Sequence, residues 1–408
     1  MSPSNGAVLA IWLLLALLMQ IDQCALAASH SRPLPAVTRV TKDASSSLYL
    51  ISPRNYDVAP LVLDLAGPLI WWSCGYTDHH TVPCSTGLCT VANRNHPTNC
   101  PYAAAGGRPG SAEPGCNCTA YPSSPLDGQC GAGDLTWEWL SANATDGERP
   151  LYPVSFRAVA ACAPDNVLKS LPFISPPSRP WDGRYPGVAG LSRSPLSLPA
   201  QAAAELKVAS KFTLCLPYVT IFGGGRVRLM GSADDELGPV SGRLSRTRLL
   251  RNPKNAAYYI DVTGIAVNGA RVPLPDRALA LDAGEGRGGV ALSTVTPYTA
   301  LRPDVYRAVL GAFGAATAGV PCADAPAAPF ELCYNMTKMD PYSWFGNQMA
   351  TVDLMLADGK NWTFSGYGAA EEVRPQTVCF AFVEMGSAEA SAVPDSPAVI
   401  IGGVSPGA

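Results

Sequence analysis

The chain has no late apolar run long enough to cross a bilayer, few charges for its length and only four histidines, and each shortage closes off a class of function. Charged residues make up 15% and the formal net charge is −3, so there is no basic footprint for a nucleic-acid backbone or an acidic membrane surface. Glycine is abundant, but Ile221-Phe-Gly-Gly-Gly225 is not followed by Lys-Ser/Thr, and a strand-to-loop turn explains it better than a phosphate loop. His79 and His80 stand near Cys74, Cys84 and Cys89, yet these spacings match no zinc signature. The sequence therefore calls for no metal and no cofactor.

What is present points to export and a large core. With 408 residues, 47% of them hydrophobic, the chain has room for two domains. Residues 1–27 read as a secretory signal: Val8 to Met19 is apolar and too short to span a bilayer, and Ala25-Leu26-Ala27 is a small-residue cleavage pattern. Cys24 leaves with that signal, and the other twelve cysteines are expected to form disulfides in an oxidising compartment. Four Asn-x-Ser/Thr sequons, at Asn117, Asn143, Asn335 and Asn361, fit a secreted glycoprotein. Asn117 is the weakest of them, because Cys116 and Cys118 flank it.

The stretch that organises the chain is Leu61-Val-Leu-Asp-Leu-Ala-Gly-Pro-Leu-Ile-Trp-Trp-Ser-Cys74. It reads as an apolar strand, a tight turn from Asp64 to Gly67 and a second apolar strand. The same grammar returns at Gly289-Val-Ala-Leu-Ser-Thr-Val-Thr-Pro-Tyr-Thr-Ala-Leu301, which predicts two related halves. Ser47 to Ser52, Leu135 to Leu140, Phe156 to Cys162 and Phe212 to Pro217 are further expected strands, and Tyr258 to Gly269 an alternating strand ending in an Asn-Gly turn. Leu198 to Ala209, capped by Ser197, and Asp304 to Ala316 are expected helices. Between Cys74 and Cys130 the composition predicts a disulfide-tied loop region with little regular structure.

Two turns of this kind resemble those of the pepsin-like aspartic peptidases, in which an Asp-Thr-Gly or Asp-Ser-Gly turn in each lobe gives one carboxylate to a shared dyad. The resemblance implies an all-β dominated, two-lobed fold with a few short helices, residues 28–237 forming the first lobe and 238–408 the second. Both turns depart from the pattern. Asp64 stands, but Leu65 and Ala66 hold the hydroxyl and glycine positions; Ser293 falls where the second aspartate belongs and Val295 where its glycine belongs. Asp282, in Leu281-Asp-Ala-Gly284, is the rival second carboxylate, but a polar glycine run follows it, so the Ser293 register is preferred. The family's flap tyrosine has no counterpart in Cys130-Gly-Ala-Gly-Asp134, although Tyr121 is near. Peptide hydrolysis by this route needs two carboxylates sharing a proton, and a serine hydroxyl fills neither role.

Ala66-Gly-Pro-Leu-Ile-Trp71, Asn143-Ala-Thr-Asp-Gly147, Ala160-Ala-Cys-Ala-Pro164 and Leu301-Arg-Pro-Asp-Val-Tyr306 together resemble the plant xylanase-inhibitor proteins of cereal type and their relatives, the extracellular dermal glycoproteins and basic seed globulins. That resemblance implies a monomeric, non-catalytic apoplastic protein that blocks microbial family 11 endo-xylanases with loops of the second lobe. It puts Met339 in the place of an inhibitory leucine, six residues after Cys333. The family's inhibitory histidine near the C-terminus has no counterpart. Its final strand pair and last cysteine are also missing after Pro397-Ala-Val-Ile-Ile-Gly-Gly403, predicting an exposed edge and apolar surface there. Cys215 and Cys322 are then expected to pair with each other, or one to be free. A residual aspartic peptidase and a degenerate inactive member are the competing readings.

Overall fold

The repeated strand-turn-strand units each build a three-strand loop in which a later strand threads between the two arms. In the first half, strand Leu61–Asp64 runs parallel to Gly187–Gly190, which in turn pairs antiparallel with Ile70–Trp72. In the second half, Val290–Leu292 runs parallel to Val399–Ile401, which pairs antiparallel with Thr299–Leu301. The first half extends into a ten-stranded sheet and the second holds sheets of six, four and three strands. No described strand of the ten-stranded sheet lies beyond Phe222, and none of the others begins before Leu249. This computed structural model describes residues 33–53, 60–74, 79–94, 96–97, 100–104, 115–146, 150–174, 185–223, 246–338, 349–386 and 397–403, and Pro35–Ala408 forms one compact unit. The signal segment 1–27 and Met339 lie outside the described residues.

Strand choice follows composition. Leu61, Val62, Leu63 and Ile70 are buried because their sheet is covered on both faces, which calls for continuous apolar runs rather than alternation. Gly133–Thr145 and Pro150–Cys162 pair over nearly their whole length, so these strands are twice as long as the alternating cores at 135–140 and 156–162 suggest. Leu140, Ala142, Phe156 and Ala158 face the core, and Trp139, Asn143 and Arg157 face outward. Asn268 and Gly269 have φ of 48° and 77°, the left-handed pair that a tight hairpin turn needs.

Several expectations are corrected. The region from Cys74 to Cys130 contains helix Gly87–Arg94 and a 3₁₀ turn Pro101–Ala104; disulfides Cys84–Cys116, Cys89–Cys118 and Cys100–Cys130 supply the order that its sequence pattern lacks. Helix Leu198–Leu206 stops before Ala209, because Lys207 turns left-handed and its N–H bonds back to the Ala203 carbonyl. Ser197 occupies the N-cap position, but its buried hydroxyl makes no cap bond. Helix Pro303–Ala316 begins at the proline, whose fixed φ suits the first helical position.

Cys74–Cys162 and Cys333–Cys379 complete the five disulfides among the described residues. Cys215 and Cys322 are not joined: the first lies on strand Phe212–Cys215 at the edge of the ten-stranded sheet, the second is exposed before strand Cys333–Asn335 of the other half. Strand Val399–Ile401 sits inside its sheet with partners on both sides, and Val399, Ile400 and Ile401 are buried.

Threading a strand through each loop leaves no room for side chains at the crossing. A Cβ on Gly190 would lie 2.4 Å from the Gly67 carbonyl oxygen and 2.5 Å from that of Leu69, both fixed backbone. Gly190→Ala is therefore expected to destabilise the fold by about 2–3 kcal/mol or more, read as a lower urea midpoint at unchanged slope. A midpoint equal to wild type would refute the crossing as the constraint.

Candidate functional site

Asp64 ends its strand opposite Gly190, and the turn that follows is closed by its own atoms. The Gly67 N–H donates to the Asp64 carbonyl at 3.2 Å and the Ala66 N–H donates to Oδ1 at 2.9 Å. The threaded strand adds a bond from Leu191 N–H to the Asp64 carbonyl at 2.8 Å. Ser293 takes the matching position in the second turn: its N–H donates to the Ile401 carbonyl at 2.9 Å, and Val295 N–H donates to its Oγ at 3.2 Å. Thr296 adds two more donors to Oγ, its N–H at 3.2 Å and its hydroxyl at 2.9 Å. The serine oxygen is thus held by turn donors much as a carboxylate oxygen is held in the first turn.

The two turns meet through one hydroxyl. Thr294 Oγ1 donates to the Leu63 carbonyl at 2.5 Å and accepts from the Leu65 N–H at 3.2 Å, across 229 residues of sequence in the second case. Leu65, at the equivalent place in the first turn, has no hydroxyl to return the bond. Apolar contacts take over instead: Ala66 packs in a second-half cluster with Ala257, Tyr259 and Ala291, and Val295 in a first-half cluster with Leu69 and Trp71. Ala66 and Val295 are each inserted into the other half's core. Sequence reading passed over Thr294, although a hydroxyl right after the turn's first residue is its visible signal.

Asp64 is 6% exposed, and burial raises its pKa to about 6 although the Ala66 and Gly67 N–H groups pull it down. It lines a pocket of about 110 Å³ with Trp71, Tyr121, Ser124 and Pro125. That lining corrects the flap expectation. The covering hairpin starts at strand Thr119–Ala120, is tied by Cys100–Cys130 and carries Tyr121 on its first arm, buried over the Asp64 turn. Among the described residues, no second carboxylate lines the pocket. Asp282 is exposed in a turn of its own, its Oδ1 accepting from Gly284 N–H at 2.8 Å and Glu285 N–H at 2.9 Å.

Other sequence-derived positions are scattered. Asn143 and Asn361 are exposed; Asn117 Oδ1 accepts from the Thr81 hydroxyl at 2.8 Å; Asn335 Oδ1 accepts from both the N–H and the hydroxyl of Thr337. Met339 lies outside the described residues; strand Cys333–Asn335, earlier in the same stretch of sequence, has its first residue bridged to Cys379. Cys74, Cys84 and Cys89 are all used in disulfides.

Comparison with known proteins assigns the two halves separately. The family described as Xylanase inhibitor N-terminal matches residues 52–226, and that described as Xylanase inhibitor C-terminal matches residues 257–405. The protein named Chitinase CLP from Oryza sativa subsp. japonica is 43% identical over 361 residues, covering 86% of this chain and 79% of that protein. Gamma conglutin 1 of Prunus dulcis is 30% identical over 375 residues, covering 87% and 80%. The crystal structure of edgp superposes with a TM-score of 0.74 at 26% identity, covering 91% of this chain and 90% of that one.

Two outcomes test the site. Because the folded carboxyl of Asp64 holds its proton up to about pH 6 and the unfolded one releases it near 3.8, the associated stability is full below 3.8 and is lost as pH rises through 6. Asp64→Asn should remove that dependence: between pH 4 and 6.5 wild type loses roughly 2–3 kcal/mol relative to the variant, measured by urea unfolding at each pH. Parallel pH profiles would show that Asp64 is solvated as an ordinary carboxylate. Thr294→Val strands the buried Leu63 carbonyl and Leu65 N–H and should cost roughly 2–4 kcal/mol by the same assay.

Proposed function

The chain belongs to the xylanase-inhibitor family, non-catalytic pepsin-like proteins of plants with mostly β structure, and on that premise we propose that it is a secreted inhibitor or binder of microbial family 11 endo-xylanases in plant defence. What supports the non-catalytic part is the junction: among the described residues Asp64 is the one carboxylate lining its pocket, and Ser293, whose Oγ accepts from the second turn as Asp64 Oδ1 accepts from the first, is read as standing where a second aspartate would be needed. A dyad works because one carboxylate takes a proton from water while its partner donates one to the scissile carbonyl. Ser293 can do neither, and its Oγ is already occupied by three turn donors. Loss of one member of such a unit lowers turnover by a factor on the order of 10⁴ or more.

The inhibitory surface would then be the second-half loops, with Met339 as an apolar anchor flexible enough to fit an enzyme cleft. Five disulfides support an oxidising, extracellular destination, and no described helix is long and apolar enough to cross a membrane. The relative named as a chitinase raises a second reading, hydrolysis of chitin. Glycoside hydrolysis in its usual form needs two carboxyl groups roughly 5–9.5 Å apart, and the pocket at Asp64 supplies one.

Titration of the mature protein against a family 11 xylanase is expected to give stoichiometric loss of xylanase activity, with Met339→Ala weakening it about tenfold or more, equivalent to roughly 1.4 kcal/mol. A folded protein that leaves the xylanase untouched would overturn the inhibitor reading. Pepstatin-sensitive acid proteolysis abolished by Asp64→Ala would reinstate a peptidase, and release of chitin oligomers abolished by that variant would reinstate the hydrolase.

A further inference from the structure

The long hairpin Gly133–Thr145 with Pro150–Cys162 presents a flat outer face that the junction does not use. Along its first strand, Trp137, Trp139, Ser141 and Asn143 alternate with the buried Leu140 and Ala142, so all four share that face. Arg157 pairs directly across from Trp139, but its guanidinium lies over the Trp137 ring, 4.0 Å from the centroid. Trp139 is left 67% exposed, and among the described residues no ring or cation stacks on it. A bare indole of this size at the centre of a sheet face is costly to hydrate.

Two residues beyond Ser141 on the same face stands Asn143, exposed, with no hydrogen bond to its carboxamide among the described residues, in the sequon Asn143-Ala-Thr145. Asn117 and Asn335, by contrast, have carboxamide oxygens engaged by Thr81 and Thr337. Four strand residues separate Trp139 from Asn143 by about 13 Å. Two linked sugar rings laid from Asn143 along the strand past Ser141 reach the indole.

We propose that Asn143 carries an N-linked glycan whose first N-acetylglucosamine rings lie over Trp139. The inference rests on the reading of the chain as exported. In the transfer, Asn143 Nδ2 bonds to the anomeric carbon of the first sugar of a lipid diphosphate-linked oligosaccharide. The anomeric C–O bond to the diphosphate breaks, and the Nδ2 proton leaves to solvent. Transfer precedes folding, so the burial of Thr145 in the finished sheet is no obstacle. The apolar face of the sugar ring covers the indole, and Ser141, Ser155 and Arg157 surround it with polar groups for the sugar hydroxyls and acetamide.

The test uses the full chain secreted from a glycosylating host, with peptide mapping before and after peptide:N-glycosidase F. A glycan on Asn143, acrylamide quenching of Trp139 that rises on deglycosylation, and a Trp139→Ala melting temperature lower by roughly 1–3 °C only while the glycan is present are the expected results. Asn143→Gln should show the same lowering with no further effect of Trp139→Ala. Asn143 bare while Asn361 is glycosylated would overturn this inference and leave export standing; all sequons bare would overturn export and the inference with it. A Trp139→Ala effect indifferent to the glycan, or Trp139-dependent retention of the glycosylated protein on insoluble xylan or chitin, would show that the glycan does not cover this face.

Discussion

One threonine hydroxyl ties the two buried turns of this protein to each other. Thr294 satisfies the Leu63 carbonyl and the Leu65 N–H, backbone groups that a turn this tight cannot satisfy from within. In a symmetric junction a second hydroxyl would return the favour, but Leu65 has none. The deficit is met by side-chain volume: Ala66 and Val295 enter the opposite cores at places where a glycine would leave a gap. The junction has exchanged a polar tie for an apolar one on one side only.

That exchange explains how the catalytic grammar can lapse without loss of fold. Asp64 and Ser293 each organise a turn by accepting N–H bonds, and for that purpose a hydroxyl oxygen serves as well as a carboxylate. What the hydroxyl cannot do is share and move a proton near neutral or acidic pH, so the difference between the two turns falls on chemistry and spares architecture. The remaining carboxyl, shut under the Tyr121 hairpin, is held largely protonated in mildly acidic surroundings, which is a resting place and not a working base. Stability away from the junction comes from the paired long strands and from disulfides that staple the glycine- and proline-rich excursion between Cys74 and Cys130.

Much of this was legible beforehand for a definite reason. The strands at the turns are short, mostly apolar and flanked by glycine or proline, and helix Pro303–Ala316 opens on a proline; both signals are local. The misreadings share the opposite property. Helix Gly87–Arg94 depends on disulfides closed from distant positions, and the flap tyrosine on a hairpin pairing that spacing from Cys130 does not reveal. The isolation of Cys215 and Cys322 likewise follows from their lying in different halves, one on an edge strand of the ten-stranded sheet and the other in an isolated bridge to Tyr334.

The sequence by itself determined the two-fold repetition, the mostly β character and the presence of Asp64 in the first turn and Ser293 in the second, because each of these is written in the identity of neighbouring residues. Only the tertiary structure decided that Ser293 N–H bonds the threaded strand at Ile401 while Asp64 stands opposite Gly190, that Thr294 ties the halves together, and that Trp139 and Asn143 share an uncovered face. These are relations between segments up to hundreds of residues apart, set by sheet register and packing, and no local pattern encodes them.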